Sequence, residues 1–182
     1  MATAPHSPLI EVGPHVFESE VRIARPVAEV FPLLDFADPR NAKRQLGEKV
    51  DAVPGQPETF AMVLSDLPDA VFTMEVTHAE PGREYAYTCV SSVKFGRAIH
   101  FHEHFVLEAV RGNKCRLKLV MTVTFDAPLD EEAFAMESMM LSFAASSGLG
   151  KIKLHAEDGV DAVRAVMAHQ NAIFADVDEA CH

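Results

Sequence analysis

Leu149-Gly150-Lys151-Ile152-Lys153-Leu154-His155-Ala156-Glu157-Asp158-Gly159, running on to His169, is the stretch whose reading decides the fold. Ile152, Ala156, Gly159, Val163, Val166 and Met167 recur at intervals of three and four, the period of one helical face. Lys151, Lys153, Glu157, Asp161 and Arg164 take the other side, which is expected to face water. A helical lead-in is expected from Asp130 to Ser147, with Phe134, Met136, Met139, Met140, Leu141 and Phe143 on it and a bend over 146–150. A helix of roughly 20 residues spans about 30 Å, the width of a small domain. The simplest arrangement closes a curved sheet around this helix and leaves room for a cavity between them.

Upstream, Val16 to Ala24 alternates, with Phe17, Val21 and Ile23 on one side and Glu18, Glu20 and Arg22 on the other, as in a half-buried strand. The period changes at Arg25-Pro26, where Val27, Val30, Phe31 and Leu34 make a short helical stripe interrupted by Pro32. Asp38-Pro39 reads as the start of a second short helix leading to Gln45. From Glu48 to Asp126 the chain reads as strand and turn, punctuated by Pro54-Gly55, Leu67-Pro68-Asp69, Pro81-Gly82 and Gly112-Asn113.

Two hairpins fix a register. Around Pro81-Gly82, His78 is set opposite Tyr85, Val76 opposite Tyr87 and Met74 opposite Cys89, giving one continuous apolar and aromatic side. Over Gly112-Asn113-Lys114, a three-residue loop sets Phe105 opposite Met121, Glu103 opposite Val123 and Phe101 opposite Phe125. A one-residue slip would reverse every side chain, and only this parity sorts apolar from polar.

Composition narrows the class. The chain has 182 residues, enough for one domain with a proper core. The expected division is a loose arm over residues 1–14 and a single domain over 15–182. A formal charge of −11 disfavours a nucleic-acid partner, which is recognised through clustered Lys and Arg, and no basic run exceeds Lys43-Arg44. Cys89, Cys115 and Cys181 lack metal or disulfide spacing, so neither a cofactor nor a structural metal is indicated. The opening residues do not read as a secretory signal, and no apolar run reaches the roughly 20 residues of a membrane span. A reduced, cytoplasmic protein without membrane insertion, monomeric or homodimeric, is the expectation.

The order strand, two short helices, an antiparallel run of strands and a long terminal helix resembles the START-like helix-grip superfamily (SRPBCC). The resemblance covers about Val16 to His169. It is carried by Arg25-Pro26-Val27-Ala28-Glu29-Val30-Phe31-Pro32-Leu33-Leu34 at the strand-to-helix turn and by Glu80-Pro81-Gly82-Arg83-Glu84-Tyr85 between central strands. It implies an α+β fold, a curved antiparallel sheet of about seven strands around the terminal helix. It also implies a deep apolar cavity of the kind used by polyketide cyclases, plant pathogenesis-related allergens and lipid-transfer domains.

Glu103 is the sharpest candidate, because the register places a carboxylate between Phe101 and Phe105 and opposite Val123 on the apolar side. It is expected either to act on a ligand as acid or base or bind a ligand hydroxyl, or else to pair with a nearby cation or reach solvent at a cavity mouth. His155 on the terminal helix is a second candidate, within reach of Glu103, Tyr85, Tyr87 or His78, or simply paired with Asp158. Gly159 marks a close approach of sheet or ligand, or nothing more. His100, His102 and His104 share one strand face, with neighbours about 6.6 Å apart and the outer pair about 13 Å apart. Solvated surface is the preferred reading there over a metal site. Three functions stay open: a binder of a small hydrophobic molecule, a metal-free enzyme of cyclase, dehydratase or isomerase type, and a protein-interaction module.

Overall fold

The computed structural model describes residues 9–180, with side chains given through residue 170. Seven strands form one antiparallel sheet: β1 (His15–Ile23), β2 (Lys49–Ala52), β3 (Thr59–Leu64), β4 (Leu67–Glu80), β5 (Glu84–Ser91), β6 (Ala98–Val110) and β7 (Lys114–Phe125). Their spatial order is β1-β7-β6-β5-β4-β3-β2, so five hairpins build the sheet from β2 to β7 and β1 closes beside β7. Between β1 and β2 lie α1 (Val27–Leu34) and α2 (Ala42–Leu46); after β7 come α3 (Glu131–Asp158) and α4 (Val160–Ala180). This is the expected α+β helix-grip architecture.

Alternation along β7 shows why the sheet has one wet and one dry face. Cys115, Leu117, Leu119, Met121, Val123 and Phe125 are buried, while the residues between them are only half-buried. α3 lays Leu141, Ala145 and Leu149 onto this dry face. Its first turn is capped by the Asp130 carboxylate, which accepts from Ala133 N at 2.8 Å. Its last turn is clamped to the end of β1: Arg25 donates to the carbonyls of Ala156 and Glu157 at 3.0 and 2.8 Å, and Lys153 donates to the Arg22 carbonyl at 2.7 Å. The Glu157 carboxylate completes the clamp by accepting from Ala24 N at 2.6 Å. The sequence expectation that Lys151, Lys153 and Glu157 face water is therefore corrected: Lys153 and Glu157 hold the strand end, and Lys151 turns toward the hollow.

The break in the terminal helix also lies elsewhere than expected. Residues 146–150 continue α3 without interruption, because Ala145 before the two glycines and Leu149 between them are anchored in the core. Two buried apolar contacts outweigh the roughly 1 kcal/mol that each mid-helix glycine costs. Gly159 is the break, at φ 90° and ψ 172°, a conformation that is essentially glycine's own. A Cβ there would meet nothing within 4 Å, so Gly159 is kept for its backbone and not for a close approach. Gly159→Ala is expected to cost about 1–3 kcal/mol in urea unfolding; a cost near zero would show that the break moves freely along the chain. α4 runs through residues expected to fray at the end of the chain, and the expected docking of the Phe174 side chain lies outside the described residues. The lead-in splits in two: Phe134 and Leu141 pack inward, whereas Met136, Met139, Met140 and Phe143 are exposed.

Of the expected arm, residues 1–8 lie outside the described residues, whereas Ile10 exchanges backbone hydrogen bonds with Leu129 at 2.7 and 2.9 Å. Two registers are corrected. In the β6–β7 hairpin the loop is Arg111-Gly112-Asn113, so Phe105 faces Leu119, Glu103 faces Met121 and Phe101 faces Val123. That is a slip of two residues, which preserves the face of every side chain. In the β4–β5 hairpin Met74 meets Cys89 and Val76 meets Tyr87 as expected, but an irregularity between Val76 and His78 pairs His78 with Ala86 and Ala79 with Tyr85. The Ser65-Asp66 turn, rather than Leu67-Pro68-Asp69, joins β3 to β4. The second short helix begins after Asn41, and Asp38-Pro39 forms a turn before it.

Candidate functional site

Between α2, α3 and the dry face of β3–β7 lies a cavity of about 730 Å³. Met62, Phe72, Met74, Phe101, Phe105 and Met121 form much of its sheet wall, and Leu141, Ala145, Leu149 and Ile152 form its helix wall. Such a void falls in the size range of small-molecule sites and is far larger than the gaps of a close-packed core.

Into this wall the strands place one polar pair. Tyr87 on β5 lies directly opposite Glu103 on β6, and the Tyr87 hydroxyl donates to Glu103 Oε2 at 2.7 Å. Phe36 packs edge-on against Tyr87 at 4.9 Å between centroids and Phe105 stacks against it at 6.1 Å, which restrains the ring. Burial pushes the Glu103 carboxyl above its ordinary value, against the opposing pull of the Tyr87 hydrogen bond and the Lys43 charge. Burial and the adjacent carboxylate drive the Tyr87 phenol well above its usual range, so it remains a donor.

A raised carboxyl has a definite consequence for stability. The folded chain keeps the Glu103 proton at pH values where the unfolded chain has released it. The stability this supplies is complete below the unfolded value and is lost as pH rises through the higher folded value. Glu103→Gln, always neutral, should escape that loss. Its stability relative to the parent is expected to improve from about pH 4 to about pH 8 in urea unfolding; parallel pH profiles would show that Glu103 titrates normally.

His155 also lines the cavity, but its partner is neither Glu103 nor Asp158. Its Nε2 is 2.8 Å from Gln45 Oε1, a contact in which the ring donates, while Nδ1 is buried without a partner. Burial, then the Arg164 charge, lowers its proton affinity. Arg164 in turn donates to the Gln45 carbonyl at 2.6 Å, so His155 and Arg164 together tie α2 to the α3–α4 junction.

The remaining candidates separate. Phe105 and Met121 are in the wall. Tyr85 is only 1% exposed and accepts from Phe36 N at 3.0 Å, which makes it a core residue behind the cavity rather than part of its surface. His78 is turned to the outside by the irregularity in β4, where it lies 3.8 Å from Glu84. Gly159 is beyond the cavity, at the end of α3. On the outer face His104 bonds Glu84 at 3.0 Å and His102 approaches Thr77 at 3.2 Å, so those rings have surface partners. Among the described residues no group of three or more His, Cys, Asp or Glu is placed to hold a metal ion. Cys89 lines the cavity, and burial pushes its thiol up to about 12, far from nucleophilic range.

Sequence reasoning missed three polar residues at the α2 end. Lys43 and Lys151 both line the cavity. Asn41, 1% exposed, donates to the carbonyls of Leu33 and Leu34 while its side-chain oxygen caps α2 at Lys43 N and Arg44 N. A signal for Asn41 existed, since Asn before a helical segment is a favoured cap.

No protein-family model matches the chain, and no curated protein matches it in sequence. Solved structures do. The chain superposes on Ara h 8.0201 with a TM-score of 0.58 at 16% identity, covering 78% of this chain and 97% of that one. The Zhui aromatase/cyclase from a Streptomyces species gives 0.54 at 16% identity, over 79% and 96% of the two chains. A START superfamily protein from Mycobacterium smegmatis gives 0.51 at 12% identity, over 76% and 97%. At these identities the likeness is one of fold. No helix among the described residues is long and apolar enough to cross a membrane.

Proposed function

Starting from a START-like helix-grip fold, we propose that this protein binds a small hydrophobic molecule, of lipid, polyketide or aromatic type, in the hollow between the sheet and α3. One observation carries the reading: a cavity of about 730 Å³ walled by Phe, Met and Leu side chains, with the Tyr87–Glu103 pair set into it. Burying apolar ligand surface contributes about 25 cal/mol per Å², so the wall supplies affinity and the polar pair supplies orientation. Native mass spectrometry of gently purified protein tests this. A bound species that extracts into organic solvent is expected; bare polypeptide, unchanged on addition of hydrophobic candidates, would count against it.

A second reading rests on the same pair. A carboxyl whose proton affinity burial raises, oriented by a phenol and facing an apolar cavity, is equipped to protonate a ligand oxygen or accept a proton from carbon. The likeness to an aromatase/cyclase is compatible with a cyclase, dehydratase or isomerase reaction of this kind. Tyr85 is not placed to polarise a ligand carbonyl, because it lies in the core behind the cavity wall, only 1% exposed. Glu103→Gln separates the two readings: an enzyme would bind its substrate and fail to convert it, whereas a pure carrier would change only in affinity.

A further inference from the structure

Polar groups in an apolar cavity are costly, so each one needs a reason. Glu103 has Tyr87, and His155 has Gln45. Lys43 and Lys151 have no comparable partner. Both line the cavity where α2 meets α3, and among the described residues neither ammonium has a hydrogen bond or an ion pair within reach. Elsewhere on the chain, by contrast, Lys94, Lys118 and Lys153 each engage a carboxylate directly.

The acids around Lys43 do not fill this gap. Glu48, Asp66 and Glu103 influence it through space only. The Glu48 carboxylate is committed to Ser65, accepting from its backbone N at 2.6 Å. Asp66 lies exposed in the β3–β4 turn, and Glu103 faces Tyr87. Burial and the neighbouring Lys151 both depress the proton affinity of Lys43. Lys43 and Lys151 repel each other with no carboxylate among the described residues in direct contact with either, and an anion held by both would relieve that repulsion and offset the burial of Lys43.

We propose that the ligand of this cavity is an amphiphilic anion, with a carboxylate or similarly small acidic group held between Lys43 and Lys151 and an apolar body lying along the wall toward Tyr87 and Glu103. The inference rests on the hydrophobic-ligand reading and narrows it. It also accounts for two lysines turned inward on a chain whose formal charge is −11. The lysine end takes the acid, and the Tyr87–Glu103 end remains free to meet a hydroxyl or carbonyl further along the molecule.

The test compares tetradecanoate with tetradecanol, which share a chain and differ in the acidic head, on the parent protein and on the double variant Lys43→Gln/Lys151→Gln. The parent should prefer the acid by about tenfold or more, a difference of about 1.4 kcal/mol. The double variant should lose that preference while keeping its affinity for the alcohol, which also shows that it is folded. Equal affinity for acid and alcohol in the parent, or an undiminished preference in the variant, would overturn the inference and leave hydrophobic binding standing. Binding of neither probe would overturn both.

Discussion

Asn41→Ala is expected to lower the unfolding free energy by about 2–4 kcal/mol. The side chain is 1% exposed and works in two directions. Its amide donates to the carbonyls of Leu33 and Leu34, which close α1, at 3.3 and 3.2 Å. Its oxygen accepts from Lys43 N and Arg44 N at 3.1 and 3.4 Å, which opens α2. Alanine would remove a cap worth about 1 kcal/mol and strand two carbonyls in a buried place, where each unmet group costs about 1–3 kcal/mol. Because Lys43 and Gln45 both ride on α2, the lid over one end of the cavity should loosen at the same time. Urea unfolding checks the stability; a loss below about 1 kcal/mol would mean that α1 and α2 are held by packing alone.

Ala145→Phe is expected to abolish most ligand binding without harming the fold. Ala145 is 7% exposed, sits in the middle of α3 and faces the hollow. Most of Ala145 is already covered by the core, but its remaining surface borders the hollow, so a ring there is expected to extend into that space, with little overpacking and some new apolar contact. The thermal midpoint of the unliganded variant should equal or exceed that of the parent. Affinity for a neutral apolar dye such as Nile red should fall by about tenfold or more, or about 1.4 kcal/mol. Full affinity in the variant would mean that the dye binds elsewhere, on the exposed Met136, Met139 and Phe143 of α3 for example.

What the sequence disclosed follows from which signals are periodic. Strand alternation and the apolar sides of two hairpins carry parity, and parity survived even where the β6–β7 register slipped by two. Glu103 was found for that reason: it is a charge on the wrong side of an otherwise dry strand. His78 was misplaced because a strand irregularity breaks the alternation and leaves no fixed mark in composition. The helix break was read at Ser146–Gly150, where glycine density is high, but tertiary contacts of Ala145 and Leu149 decide such matters and lie outside any local window. Lys43 and Lys151 were illegible for a related reason. A lysine on an amphipathic helix defaults to water, and only the roof made by α2 over α3 reverses that default.

The central claim, that the hollow takes up an apolar molecule, can be watched directly through methionine methyl resonances during titration with tetradecanol. Met62, Met74 and Met121 line the cavity, whereas Met136, Met139 and Met140 stand on the outer side of α3. Saturable shifts confined to the first three methyl groups are the expected result. Shifts confined to the outer three, or none at all, would contradict the account.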